Sequence, residues 1–476
     1  MSAPLPTNRV ELSLAAVARA TGGELRGADT SLRGVSTDSR ADLSGALFVA
    51  LVGERFDGHD FAEKAAKQGA SALLVERDVA TTLPTVRVKS TLAALGALGA
   101  LRRQTWGGKV VAVAGSAGKT TTRAALSALL DAAEPGAVHY VRGNFNNLIG
   151  VPLVLLSLGE HERIAVVELG TNRPGEVEAL TRMAAPDVGV LTLIGYEHTE
   201  GLGDLDGVEA EEGALFANLR SGAVAVGNHD DERVARQLTK AGSRRVSYGQ
   251  RGGADYRFRV LGLSAAGVDL EVGRRLNGQE VSTQFRTTTL GDAGAYAACA
   301  ALTAVETLLG REISAALLNA AFASTVASEA GRLCPVELTG GILLLDDTYN
   351  ANPESVESSL KTARQLADQR KVALVLVLGE MRELGVLSEG LHRKIGEAAA
   401  AQAPELLIAV AGDARLLCEA ARACGVQAEF VADADAAAEL LLTRLLAPAV
   451  VLVKASRGVR AETVVERLVA TKGRAA

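Results

Sequence analysis

Cysteine is scarce, with 4 among 476 residues. Cys299, Cys334, Cys418 and Cys424 form no C-x-x-C pair and show no metal-ligand spacing. So few thiols in so long a chain exclude a disulfide framework and predict reduced, buried cysteines in a cytoplasmic protein. Aromatic residues make up only 3%, so the core has to be built mainly from Ala, Val and Leu. Long apolar runs are missing as well. The runs 92–101 and 372–379 fall far short of the roughly 20 residues a membrane-spanning helix needs, so no membrane insertion is expected. The opening MSAPLPTNRVELSL lacks the basic-then-apolar order of a secretory signal. Excess positive charge is absent too: the net charge is −6. That argues against nucleic acid as a partner and against a general anionic-membrane surface, while leaving room for a local basic pocket. There is no internal repeat, low-complexity tail or block of like charge.

Hydrophobic content of 48% and charged content of 22% describe a globular chain, and its length suggests roughly three domains. The stretch that organises the rest is VVAVAGSAGKTTTRAAL (110–126). A short apolar strand enters a glycine-containing turn, and an alanine-rich helix follows. Gly115, Ser116, Ala117, Gly118, Lys119, Thr120 and Thr121 then make a phosphate loop. Backbone N–H groups and the helix dipole would hold phosphate oxygens, Lys119 would reach the terminal phosphates, and the Thr120 hydroxyl would ligate Mg²⁺. The loop is a variant, with Val113 where the fuller pattern has glycine.

The pattern around this loop predicts an α/β fold in three units. Residues 1–107 read as a small α/β unit, with a helix at 12–21 and strands at 46–52 and 72–76. Residues 108–327 alternate strands and helices as a largely parallel sheet requires, with strands at 110–114, 164–169, 188–192 and 223–227. Residues 328–476 read as a second, doubly wound unit. Ligands gather beyond the carboxyl ends of parallel strands. There the sequence places Glu168, His198, and the Asn228, Asp230 and Asp231 group. Of these, Glu168 and His198, together with the Thr120 hydroxyl, suit Mg²⁺ or a bridge between metal and phosphates. The loop GNFNNLIGVP (143–152) offers the amides Asn144, Asn146 and Asn147. In the third unit DDTYNANPES (346–355) and GEMRELG (379–385) follow strands, and KASRG (454–458) supplies two cations.

Seven motifs occur in an order that resembles the Mur ligase family, most closely its MurF type. They are VSTDSR (35–40), GERFDGHDF (53–61), GSAGKTT (115–121), GNFNNLIGVP (143–152), ELGTNRPGE (168–176), DDTYNANPES (346–355) and KASRG (454–458). The resemblance spans nearly the whole chain. It implies a UDP-sugar-binding domain at 1–107, an ATP-binding domain at 108–327 and a Rossmann-like ligase domain at 328–476. It also implies the reaction: ATP activates the carboxylate of a UDP-N-acetylmuramoyl-tripeptide as an acyl phosphate, and D-alanyl-D-alanine attacks it, in the cytoplasm, by a monomer. Carried over residue by residue, Thr37, Asp38, Ser39 and Arg40 match the UDP-sugar region. Asn146 and Asn147 match the loop near substrate and nucleotide, and Arg332 and Asp347 match groups that approach ATP from the third domain. Tyr349, Asn350 and Asn352 match the signature of the D-alanyl-D-alanine type. Thr120, Glu168 and His198 match magnesium ligands, and Lys119, His198, Arg332 and Asp347 form the expected catalytic set.

The departures fall in the central unit. The family's carbamylated lysine is replaced in AEEGAL (210–215) by Glu212, with Ala214 at the following acidic position. Either Glu212 supplies the carboxylate to a second metal directly, or Glu209, Glu211 and Glu212 are a solvated helix face. Leu193, Ala293, Gly294 and Ala297 replace polar groups expected near the nucleotide. Two other functions stay open on these grounds: a Mur-fold protein that binds precursor without turnover, and a ligase for a different amine.

Overall fold

The computed structural model describes residues 4–53, 56–276, 278–323 and 330–475. Glu54 and Arg55 of the 53–61 motif, and the expected division at 327/328, lie outside the described residues.

Three larger sheets follow one another along the chain. The first has five strands, in the order Glu24–Arg26, Thr85–Arg87, Ala72–Val75, Leu47–Val49, Val35–Ser36, with only the first pair antiparallel. Helix Thr91–Trp106 closes this unit and leans on the next. Gly99 packs on Pro152, and the Trp106 indole N–H donates to the Gly159 carbonyl at 2.9 Å.

The second sheet has nine strands. Its parallel part runs Arg244–Gly249, Val224–Asn228, Val188–Leu191, Lys109–Ala114, Ile164–Glu168, Val138–His139. Three antiparallel-linked strands, Tyr256–Ser264, Gly267–Leu276 and Gln279–Thr287, extend it at one edge. They are an integral part of the sheet. Strand Lys109–Ala114 lies between its two neighbours, where chain progression reverses direction across the sheet, which is the place such folds bind ligands. Every residue of that strand except Lys109 is buried. Helix Gly291–Leu309 covers one face with a run of alanines. Their small side chains let the helix sit close to the sheet, which compensates for the shortage of aromatics. Each Val or Leu fully buried beneath it contributes about 1.5–3 kcal/mol.

The third sheet runs Cys334–Leu338, Ile342–Asp347, Ala449–Lys454, Ala373–Gly379, Leu406–Val410, Ala428–Val431, parallel after its first pair. The loops that follow Ile342–Asp347, Ala373–Gly379 and Ala449–Lys454 therefore gather at one edge, and that edge faces the phosphate loop. Two of the thiol expectations fail: Cys299 and Cys418 are buried, but Cys334 is half-buried and Cys424 exposed. Among the described residues no helix is long and apolar enough to cross a membrane.

Candidate active site

The loop after strand Lys109–Ala114 turns at Gly115, whose φ of 124° disfavours any side chain. A Cβ there would lie 2.3 Å from the Thr192 hydroxyl. Gly118 (φ 82°) precedes helix Lys119–Ala133. The loop is held from outside itself. Thr192 donates to the Ala117 carbonyl at 2.6 Å, and the Ser116 N–H donates to the Leu193 carbonyl at 2.7 Å. The second contact uses only backbone, so leucine at position 193 leaves it intact.

The Lys119 ammonium donates to the Gly115 carbonyl at 2.6 Å and to Glu197 at 2.8 Å. Burial alone would lower its pKa, but the carboxylates of Glu197, Glu212 and Glu168 outweigh burial and hold it above the ordinary lysine value. The Glu197 carboxylate thus sits at the Lys119 ammonium where a phosphate would be held. Sequence reasoning missed Glu197, although it immediately precedes His198. It also missed Arg123, one helical turn beyond Lys119, whose buried guanidinium pairs with Glu168 at 3.2 Å. The other Glu168 oxygen accepts from Asn146 at 3.0 Å. Asn147 spends its side-chain oxygen on the N–H groups of Ile149 and Gly150, which starts the following helix.

His198 has φ 52° and opens the short helix Thr199–Leu202. Its Nδ1 meets Glu383 of the third unit at 2.5 Å and its Nε2 lies 3.4 Å from Glu197. Burial opposes its protonation, yet the hydrogen bonds to Glu197 and Glu383 win and raise its pKa to about 9. Because the folded value exceeds the unfolded one, the stability this cation contributes is full below about pH 6.5 and is lost as pH rises through about 9. The melting temperature of His198→Gln is expected to lose this alkaline sensitivity. An unchanged slope between pH 6.5 and 9.5 would show that the contact between units carries no linked proton.

Glu212 lies on helix Leu205–Ala217, only 1% exposed, and accepts the Gly115 N–H at 2.7 Å from beneath the loop. Burial pushes its carboxyl up to about 7. The solvated helix face does not exist. Glu211 is buried and accepts from the N–H groups of Gly175 and Val177 at 2.6 and 2.7 Å, and Glu209 is buried against Arg233 and Arg236.

The third unit meets the loop directly. Arg332 donates to the Thr120 hydroxyl at 2.7 Å and stacks on Tyr349, its guanidinium carbon 4.1 Å from the ring centre. Arg457 approaches the same ring at 5.3 Å. Asn352 caps helix Pro353–Arg370 in a capping box with Ser355, and Pro353 fits the first turn. The Asn352 amide also donates to the Ser116 carbonyl at 3.3 Å. Asp347 accepts from Ser359 at 2.6 Å and from the buried Lys454 ammonium at 2.7 Å. Asn350 is exposed, and its carbonyl accepts from Lys454 at 3.0 Å.

Between the two units lies a cavity of about 830 Å³. It is lined by the loop from Ser116 to Thr122, by Glu168 and His198, and by Arg332, Asp347 and Tyr349 among others. Ala293 and Ala297 form part of its wall. Another departure, Gly294, has no room for a side chain, since a Cβ would lie 2.1 Å from the Thr289 carbonyl. Thr37, Asp38, Ser39 and Arg40 do not line the cavity. They form a separate loop, half-buried except for the exposed Arg40, which grips Asp38 in two bonds of 2.8 Å.

The Thr120 hydroxyl and the Glu168 carboxylate are buried oxygen donors at the cavity edge, a set whose chemistry fits Mg²⁺. Each is engaged here by a guanidinium. His198 has both ring nitrogens facing carboxylates, and Glu212 does not face the cavity. Among the described residues no three His, Cys, Asp or Glu side chains are grouped to hold a metal.

Comparison with known proteins agrees across the chain. Family models match residues 31–103 (Mur ligase family, catalytic domain), 113–305 (Mur ligase middle domain) and 331–457 (Mur ligase, glutamate ligase domain). The UDP-N-acetylmuramoyl-tripeptide–D-alanyl-D-alanine ligase of Escherichia coli is 34% identical, covering 96% of this chain and 98% of its own. The Bacillus subtilis ligase of the same name is 32% identical over 77% of each. The crystal structure of MurF from Acinetobacter baumannii superposes with a TM-score of 0.85 at 29% identity, over 98% of this chain and 99% of that one. The MurF ligase of Thermotoga maritima in complex with ADP gives 0.78 at 28% identity, over 91% and 96%.

Proposed function

This chain belongs to the Mur ligase family, and on that premise we propose how its residues carry out an ATP-dependent ligation. The reaction adds D-alanyl-D-alanine to UDP-N-acetylmuramoyl-tripeptide in peptidoglycan precursor synthesis. The observation that carries this reading is the direct contact of the third unit with the phosphate loop, through Arg332 on Thr120 and Asn352 on Ser116.

A carboxylate is a poor electrophile. Phosphorylation by ATP gives it a leaving group, and the dipeptide amine then displaces phosphate with formation of the amide bond. Lys119 leaves Glu197 and neutralises charge on the transferring phosphoryl group, and Arg332 adds a second cation from the opposite wall. The backbone N–H groups of the loop hold the remaining phosphate oxygens. Thr120 and Glu168 would hold Mg²⁺, which supplies charge neutralisation between phosphates. Closure of the third unit excludes the water that would hydrolyse an acyl phosphate. Asp347, locked by Lys454 and Ser359, keeps the 346–355 loop in place, and Tyr349, Asn350 and Asn352 face the incoming dipeptide. Residues 37–40 bind the UDP-sugar end, away from the cavity. The protein works as a monomer in the cytoplasm.

The test is purified protein with tripeptide precursor, ATP, Mg²⁺ and D-alanyl-D-alanine. Equal amounts of ADP, phosphate and pentapeptide are expected. Bound substrates without turnover at any Mg²⁺ concentration would make the chain a binding protein. Preference for another amine in competition would reassign the acceptor.

A further inference from the structure

We propose that Glu212 is a positioning residue of the phosphate loop: its carboxylate, fixed beneath the loop, sets the Gly115 peptide and through it the Lys119 ammonium. The inference rests on the reading of residues 115–121 as the nucleotide loop. It gives Glu212 a role other than metal ligation.

Gly115 is held on both of its polar groups. Its N–H donates to Glu212 at 2.7 Å and its carbonyl accepts from Lys119 at 2.6 Å. A residue at φ 124° with no room for a Cβ cannot be held by its own side chain. Glycine also retains the most backbone freedom of any residue when unrestrained. The restraint therefore has to come from outside, and Glu212 supplies it. A charged acceptor makes the stronger kind of hydrogen bond, and a protonated carboxyl still accepts through its carbonyl oxygen. The hydrogen bond to Gly115 therefore survives protonation of Glu212, while the charged form also helps to hold Lys119 protonated.

The helix that carries Glu212 is anchored at two further points. Glu209 is clamped by Arg233 and Arg236, and Glu211 by the backbone that starts helix Glu176–Ala184. With one helical turn pinned by three buried carboxylates, the Glu212 side chain is a fixed post rather than a swinging arm. It does not line the cavity, so it acts on the nucleotide through Gly115 and Lys119.

The test compares Glu212→Gln, which keeps an acceptor of the same reach, with Glu212→Met, which keeps the volume and removes the acceptor. Both are made in the full-length protein. ADP affinity is measured by calorimetry in EDTA, and turnover is then titrated with Mg²⁺. Glu212→Met is expected to weaken ADP binding in EDTA about tenfold or more. Glu212→Gln should recover most of that loss, and the Mg²⁺ concentration for half-maximal turnover should stay the same in both. Metal-free ADP binding equal to wild type in Glu212→Met would overturn the proposal. So would a rise in the Mg²⁺ requirement shared by both variants, which is the mark of a metal ligand. Hydrogen exchange on the wild-type protein needs no variant to fold: the Gly115 amide should be protected without nucleotide, and fast exchange there would refute the bond. If wild type binds no ADP at all, the loop reading fails, while the exchange result still reports on Glu212.

Discussion

Lys119→Ala is expected to lower turnover by about 10³-fold, the range for removing a cation or donor that stabilises charge only in the transition state. The geometry makes this a large effect. Lys119 is the loop's own cation, its ammonium is almost enclosed, and its two present contacts are a carbonyl and a carboxylate that a phosphate can replace. The variant also strips Glu197, whose side chain is 12% exposed, of its lysine partner and leaves it facing His198. A drop in melting temperature should therefore accompany the lost rate. Binding of the UDP-precursor separates the two consequences. It should persist, because residues 37–40 lie away from the cavity. A variant that turns over within tenfold of wild type would show that Lys119 is not the group that meets the transferring phosphate.

Asp347→Ala carries the largest expected cost to stability. It leaves the Lys454 ammonium, 3% exposed, with only the Asn350 carbonyl as partner among the described residues. Breaking one side of a buried ion pair costs about 3–5 kcal/mol, much of it from the charge left behind. The denaturation midpoint should fall accordingly. Asp347→Ala combined with Lys454→Met should recover much of the stability, because no charge is then stranded. It should not recover turnover, since the 346–355 loop loses the bonds from Lys454 and Ser359 that position Tyr349 and Asn350. A single variant that costs less than about 1 kcal/mol would mean that the pair is far better hydrated than its burial indicates.

These two residues also mark what could be read from the chain. Lys119 announces itself, because strand, glycine turn, Lys-Thr and helix are contiguous and their chemistry is local. The parallel sheet around it was legible for the same reason: strands buried on both faces are short apolar runs separated by helices. Asp347 was found through a contiguous motif, but its partner Lys454 lies 107 residues away, and only the pairing of their adjacent strands brings them together. Arg123 and Glu197 were within reach, one on the same helix face as Lys119 and one beside His198. They were passed over because nothing in their spacing says which carboxylate each cation will meet.

The sequence by itself determined the order of secondary structure, the phosphate loop, the family and the class of reaction, since these rest on local patterns and contiguous motifs. Only the tertiary structure decided how the charges are shared. It set Glu212 under the loop rather than in the cavity, buried the three glutamates that a helical wheel could have left in water, and closed His198 onto Glu383. It also laid Arg332 on Thr120. The physical reason is that an ionisable side chain takes its role from its burial and its partner. Both come from segments distant in sequence that meet only when the sheets pack.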